Sequence, residues 1–155
     1  NVMGTVFMNA LDDPFESVRK VINNNLLTKD INASIIDIHC EATSEKMAMG
    51  HEFDGKVSLV VGTHTHVPTA DAHILNKGTG YITDVGMCGD YDSIIGMDKI
   101  QSLKRFKKKI PVGRISPGIG EASLSAVFVE TDDSNGLAKS IKSIIVGGKL
   151  QSNWS

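Results

Sequence analysis

The stretch Gly62-Thr63-His64-Thr65-His66 places two of the chain's five histidines two positions apart. It follows an apolar run, Val57-Ser58-Leu59-Val60-Val61, with the length and composition of a buried strand. Imidazole is the commonest side-chain metal ligand and changes its protonation near neutral pH, so a His-x-His pair at a strand end points to metal binding or proton transfer. A third histidine, His39, closes the run Ala33-Ser34-Ile35-Ile36-Asp37-Ile38-His39, which also reads as a strand. The plain reading of each group stands beside this one: a His-x-His pair can simply face solvent, and Asp37 can serve only as a strand-end hydrogen-bonding group. Cys40, next to His39, is a thiolate ligand in one reading and a buried free thiol in the commoner one. His51 and His73 read as surface residues.

The elements around these residues decide whether they meet. Residues 2–8 suit a strand. Asp13 as N-cap, Pro14 at the first helical position and Glu16 three residues after the cap start a helix that the apolar spacing carries to about residue 26. Between strand 33–39 and strand 57–61, the stretch 41–53 suits a helix with Ser44 as N-cap, Glu45 in its first turn and Asp54-Gly55 as its stop. Strand, helix and strand make a βαβ unit with parallel strands and a right-handed crossover. Ligands bind outside the carboxyl ends of such strands, where His39, His64 and His66 would share one edge. A strand spacing of ~4.8 Å lets them reach a common ion, or two ions ~3.5–4 Å apart. A two-metal site also needs carboxylates, and Asp37, Glu41, Asp71 and Asp84 are the candidates. Asp37, two residues before His39 on the same strand, suits a partner for an imidazole N–H.

The remainder carries weaker signals. Residues 72–75 and 80–85 read as short strands around the turn Asn76-Lys77-Gly78. The glycine-containing loop 86–92 can offer backbone N–H groups to a phosphate, or be a turn and nothing more. Asp98 caps a short helix running to about residue 108. The basic run Lys104-Arg105-Phe106-Lys107-Lys108-Lys109 sits at the end of that helix, where the macrodipole favours cations; an RNA contact is the sharper and weaker reading. Residues 115–120 read as an irregular connection and 122–130 as a strand. For 137–146 periodicity allows strand or helix, and the preceding Asn135-Gly136 favours a hairpin strand.

At 155 residues the chain reads as one domain that buries roughly 70% of its unfolded surface. Hydrophobic content of 41% and charged content of 22% are ordinary for a globular protein, and a net charge of -2 gives no bulk attraction to nucleic acid or anionic membrane. No apolar run approaches the ~18 residues of a membrane span. The two cysteines, Cys40 and Cys88, form no CxxC pair, which fits a reducing cytoplasm. Asn32-Ala33-Ser34 and Asn153-Trp154-Ser155 match a glycosylation sequon and read as chance matches. The chain opens on Asn1-Val2-Met3-Gly4 inside an apolar segment, as a chain entered in its middle would.

Four stretches together are recognisable. Asp37-Ile38-His39-Cys40-Glu41-Ala42-Thr43-Ser44-Glu45-Lys46, Gly62-Thr63-His64-Thr65-His66-Val67-Pro68-Thr69-Ala70-Asp71, Ile82-Thr83-Asp84-Val85-Gly86-Met87 and Tyr91-Asp92-Ser93-Ile94-Ile95-Gly96 closely resemble, in this order, the YmdB-like calcineurin-type metallophosphoesterases. The resemblance implies an α/β fold: the C-terminal part of a metallophosphoesterase-type α/β/β/α sandwich, with βαβ units and β-hairpins, filled by residues 1–155. It implies two divalent metal ions, iron or manganese rather than zinc, with His39 and His64 on one and His66 on the other. It implies hydrolysis of 2′,3′-cyclic nucleotides or related phosphoesters by opening the 2′ bond, with a metal-bridging hydroxide attacking phosphorus in line. Asp37, Glu41, Thr65 and Asp84 would support the ligands or line the substrate loop. Family members carry further N-terminal groups: an Asp, a bridging Glu followed by Asn, and an Asn-His pair whose histidine is the general acid. None is present here, so no catalytic residue is expected within the chain, and residues 1–155 alone are expected to bind metal weakly and to be inactive. The expected partners are the phosphoester substrate, the N-terminal half of the domain and a second copy in a homo-oligomer, in the cytoplasm. Two other readings remain at this point: a non-catalytic assembly module, and a single-zinc hydrolase built on the three histidines.

Overall fold

The computed structural model describes residues 1–9, 11–108 and 113–154. In chain order its elements are β1 (Val2–Met3), α1 (Pro14–Asn23), β2 (Ile35–His39), α2 (Thr43–Glu52), β3 (Leu59–Thr63), β4 (His73–Ile74), β5 (Gly80–Ile82), β6 (Gly89–Asp90), α3 (Lys99–Lys108), β7 (Ala122–Thr131) and β8 (Ala138–Val146). They form two sheets, ordered β1-β2-β3-β5-β4 and β6-β7-β8. In the first sheet β1, β2, β3 and β5 run parallel and β4 is antiparallel to β5; the second sheet is antiparallel. The mixed α/β class follows from this arrangement.

Alternation along the strands separates the two faces of the first sheet. Ile36, Ile38, Val60 and Tyr81 are buried in one core with Val18 of α1, Met49 of α2 and Phe53, the C-cap of α2. Leu59 and Gly80 mark the opposite face, where a Cβ added at Gly80 would meet Ile141 of β8 at 3.4 Å. The β7–β8 hairpin is tied on by Ala138 N–H donating to the Gly78 carbonyl at 2.8 Å, and by the Ser58 hydroxyl donating to the Gly136 carbonyl. The hairpin turn at Asn135-Gly136 has Gly136 at φ 70°, the left-handed backbone that glycine adopts without strain.

Local chemistry explains where elements start and stop. The Asp13 carboxylate accepts from Phe15 N–H at 2.8 Å, with Pro14 opening α1. The helix ends at Asn23, short of residue 26, because the Asn23-Asn24-Asn25 run leaves the helical path and the Asn25 side chain bonds the Val21 carbonyl. The N-cap of α2 is Ala42, not Ser44, and no side chain caps it. Only Cys40–Ala42 separates β2 from α2, so the helix starts before Ser44 can cap it. β1 is confined to Val2–Met3 where 2–8 was expected. Beyond it, Glu45 Oε1 takes the Thr5 N–H at 2.6 Å, and Gly4 is packed so closely that a Cβ there would lie 2.3 Å from Cβ of Cys40. β5 ends at Ile82, not at 85, because Asp71 captures both the N–H and the hydroxyl of Thr83. The expected Asp98 cap is present, with Gln101 N–H donating to its carboxylate at 2.8 Å. Lys109, the last residue of the basic run, lies outside the described residues. Among the described residues no helix is long and apolar enough to cross a membrane.

Candidate functional site

β2 and β3 pair in parallel with His39 opposite Thr63, so His64 is the first residue past the end of β3 and stands beside His39. The His39 Nε2 and His64 Nδ1 atoms are 3.3 Å apart, and the two rings meet edge to face at 78° with centroids 5.0 Å apart. Each ring has a fixed outer partner. The Thr63 hydroxyl donates its one hydrogen to Asp37 Oδ1 at 3.0 Å, so toward His39 Nδ1, 3.1 Å away, it accepts. That places the His39 proton on Nδ1 and leaves Nε2 bare. His64 Nε2 donates to the Glu41 carboxylate at 2.8 Å, which leaves Nδ1 bare. With both rings neutral, two imidazole lone pairs therefore face each other, an arrangement that one cation, a metal ion or a proton, resolves.

The donor spacing fits a shared metal ion. Two nitrogens each about 2.1 Å from one tetrahedral ion stand about 3.4 Å apart, and the pair here is at 3.3 Å. The outer groups, Thr63 with Asp37 on one ring and Glu41 on the other, are those that orient ligating imidazoles. A cleft of about 280 Å³ opens beside the pair, lined by Met3, Val6, Phe7, His39, Glu41 and His64 among others.

The turn that carries His64 and His66 is backbone-strained. His64 has φ 121° and His66 φ 66°, left-handed values that cost a non-glycine residue roughly 1–3 kcal/mol each. Several contacts hold it. Thr65 N–H donates to Asp84 Oδ2 at 2.9 Å, while the His66 carbonyl accepts from Met87 N–H and from the Tyr91 hydroxyl, each at 3.2 Å. Gly62 must be glycine, because a Cβ would fall 1.8 Å from the Thr83 carbonyl oxygen.

Of the expected ligands, then, His39 and His64 meet and His66 does not join them. Its ring is exposed, and among the described residues no hydrogen bond links it to the other two. Among those residues no three His, Cys, Asp or Glu side chains stand as a ready metal cage. The other candidates have separate tasks. Asp84 is buried beneath the turn and touches no imidazole. Burial pushes its carboxyl up, but Lys46 and the N–H groups of Thr65 and Gly86 outweigh that and hold it below the usual carboxylate value. Asp71 binds Thr69 and Thr83, which likewise overcome its burial and lower its pKa. Cys40 is a buried free thiol that burial, together with nearby Glu45, pushes up to about 11, and it donates to the Ala42 carbonyl. His51 and His73 are exposed, with His73 edge-on to Tyr81. In the loop after β5 several N–H groups are already used: Gly86 donates to Asp84, Met87 to His66 and Asp92 to Asp90, and Gly89 and Asp90 form β6 against β7.

Two residues that matter escaped the reading of the sequence. Thr63, which sets the His39 tautomer, looked like an ordinary strand residue. Lys46 is fully buried, its ammonium 2.8 Å from Asp84. Its signal was present: it shares a helical face with Met49, Gly50 and Phe53, where an exposed lysine has no place.

Residues 1–144 match the family described as YmdB-like protein. The 2′,3′-cyclic-nucleotide 2′-phosphodiesterase of Bacillus subtilis (strain 168) is 48% identical over 146 residues, covering 94% of this chain and 54% of that protein. The crystal structure of a hypothetical protein from Thermus thermophilus superposes with a TM-score of 0.84 at 41% identity, over 94% of this chain and 55% of that one. A phosphatase from Mycoplasma pneumoniae superposes with a TM-score of 0.81 at 36% identity, over 94% and 51%. The chain spans about half the length of the curated relatives it matches.

Proposed function

The chain belongs to the YmdB-like protein family, and from that premise we propose that it forms the C-terminal part of a metallophosphoesterase domain whose whole hydrolyses phosphodiesters, 2′,3′-cyclic nucleotides first among them. The observation that carries the reading is the pair of facing ring nitrogens of His39 and His64 at 3.3 Å, each ring held from its outer side. The substrate class is supported by the name of the relative at 48% identity.

In this reading His39 and His64 hold one divalent ion and His66 belongs to a second, iron or manganese in each case. Such ions, when bound, supply positive charge to the phosphoryl oxygens and an activated water. The chain's own residues do the positioning. Thr63 and Asp37 keep the His39 proton on Nδ1, and Glu41 keeps the His64 proton on Nε2, so that both free lone pairs point to the same place. The bridging carboxylate and the general acid come from the N-terminal part of the domain, and the protein works in the cytoplasm.

The test is turnover of 2′,3′-cyclic AMP and metal content in the whole protein. Two ions per domain and loss of turnover in His64→Ala are expected. Retained turnover in that variant, or a metal-free active enzyme, overturns the proposal. The 155-residue chain alone is expected to bind at most one Mn²⁺ weakly, because only His39 and His64 converge.

A further inference from the structure

The geometry points to Lys46 and Asp84 as a buried positioning pair that sets the attitude of His64 and His66; the inference rests on the metal-binding reading of those histidines. Lys46 and Asp84 are 0% and 1% exposed, and their ion pair spans from α2 to the segment after β5. The Asp84 carboxylate is fully used. Oδ2 accepts from the Lys46 ammonium at 2.8 Å and from Thr65 N–H at 2.9 Å, and Oδ1 accepts from Gly86 N–H at 2.9 Å. Thr65 is the residue between the two histidines, and both its neighbours hold left-handed backbone. A strained conformation persists only where its surroundings over-determine it, and the Thr65 N–H bond is the one that grips the middle of this turn.

The rest of the packing serves the same contact. The aliphatic stem of Lys46 passes beneath Gly62, where an added Cβ would lie 2.7 Å from its Cδ. Val85 N–H donates to the Gly62 carbonyl at 2.9 Å, and Thr69 bonds Asp84 through its backbone N–H and its hydroxyl, fixing where the carboxylate starts. Neither Lys46 nor Asp84 touches the imidazoles, so both act through Thr65. The ammonium fixes the carboxylate, the carboxylate fixes the amide, and the amide fixes the directions in which the two rings leave the backbone.

Three measurements on the whole protein test this. By amide hydrogen exchange, Thr65 and Gly86 are expected among the slowest-exchanging residues of their loops; fast exchange at both in the unaltered protein overturns the pair's role without any variant. Asp84→Asn and Lys46→Met are expected to shift the metal-free ring resonances of His64 and His66 and to weaken Mn²⁺ binding by about 10- to 100-fold. Val57→Ala, a core change before β3, supplies a variant of lowered melting temperature with unchanged Mn²⁺ affinity. If the pair variants lose melting temperature as Val57→Ala does while ring resonances and Mn²⁺ affinity stay put, the pair is merely structural and the inference falls. If the unaltered protein binds no Mn²⁺, the metal reading fails alone, and exchange and ring resonances still decide the positioning role.

Discussion

The rim made by His39, His64 and Glu41 and the layer beneath it made by Lys46, Asp84 and Thr65 use the same kinds of group in opposite ways. In the buried layer both carboxylate oxygens of Asp84 are taken and an ammonium neutralises its charge. On the exposed rim the outer partners of the imidazoles are equally definite, yet the two inner nitrogens face each other at 3.3 Å beside an open cleft. Burial explains the contrast. An unpaired charge in the interior destabilises the fold, so the Asp84 carboxylate is satisfied at both oxygens, whereas a rim group can wait for a ligand. The difference separates support from chemistry: the satisfied cluster underlies the turn, and the exposed pair is the one proposed to bind.

The sharpest way to break that contrast is to unbalance the buried layer. Lys46→Met leaves the Asp84 carboxylate buried without its cation and is expected to lower unfolding free energy by about 3–5 kcal/mol, read from a urea midpoint. The equivalent change on the rim, Glu41→Gln, is expected to leave the midpoint almost unmoved, because Glu41 and His64 are both solvent-exposed. Gly62→Ala is expected to come next, at about 1–3 kcal/mol, because the added methyl meets the Thr83 carbonyl and the Lys46 stem. It also displaces the strand end from which His64 departs. A Gly62→Ala protein of unchanged stability would mean that the two layers are not tightly packed.

Acid separates the layers as well. The Asp84 carboxyl is held below its ordinary value, as is that of Asp71. A depressed folded-state pKa gives stability that is present above the unfolded carboxylate value and lost as pH falls through the folded one. Melting temperature should therefore hold down through the ordinary carboxylate range and fall below it. In Asp84→Asn that acid-side loss is expected to shrink, with a lower plateau at neutral pH. An unchanged acid limb in the variant would show that Asp84 is not among the groups that set it.

Much of the rim was legible and most of the layer beneath was not, for physical reasons. Apolar runs of strand length located β2 and β3, and parallel pairing with a helical crossover was enough to put His39 beside His64. His66 stands apart from that pair, after left-handed backbone at His64 and at His66 itself that an apolar strand pattern cannot foresee. β1 and β5 came out shorter than their apolar patterns because Glu45 and Asp71, distant in sequence, take the Thr5 and Thr83 N–H groups. Lys46 shows the limit most clearly. Its helical face marked it as buried, but the partner that makes burial tolerable lies 38 residues away, and no local rule pairs them.

The smallest expected effect isolates the tautomer argument. Thr63→Val keeps the shape of the side chain and removes only the hydroxyl that stands between Asp37 and His39. Thr63 is half-buried at the end of β3, and valine suits a strand, so stability should change by less than about 1 kcal/mol. Without the hydroxyl nothing fixes the proton on Nδ1, and His39 is free to carry it on Nε2, facing His64. A proton there competes with a metal ion for the same lone pair. Mn²⁺ affinity of the whole protein is therefore expected to fall by about tenfold at unchanged melting temperature, and ¹⁵N shifts of the His39 ring should report mixed tautomers. If affinity and tautomer both stay as they were, the Asp37–Thr63–His39 chain is geometry without consequence, and the orientation of the pair rests on Glu41 and the Thr65 turn alone.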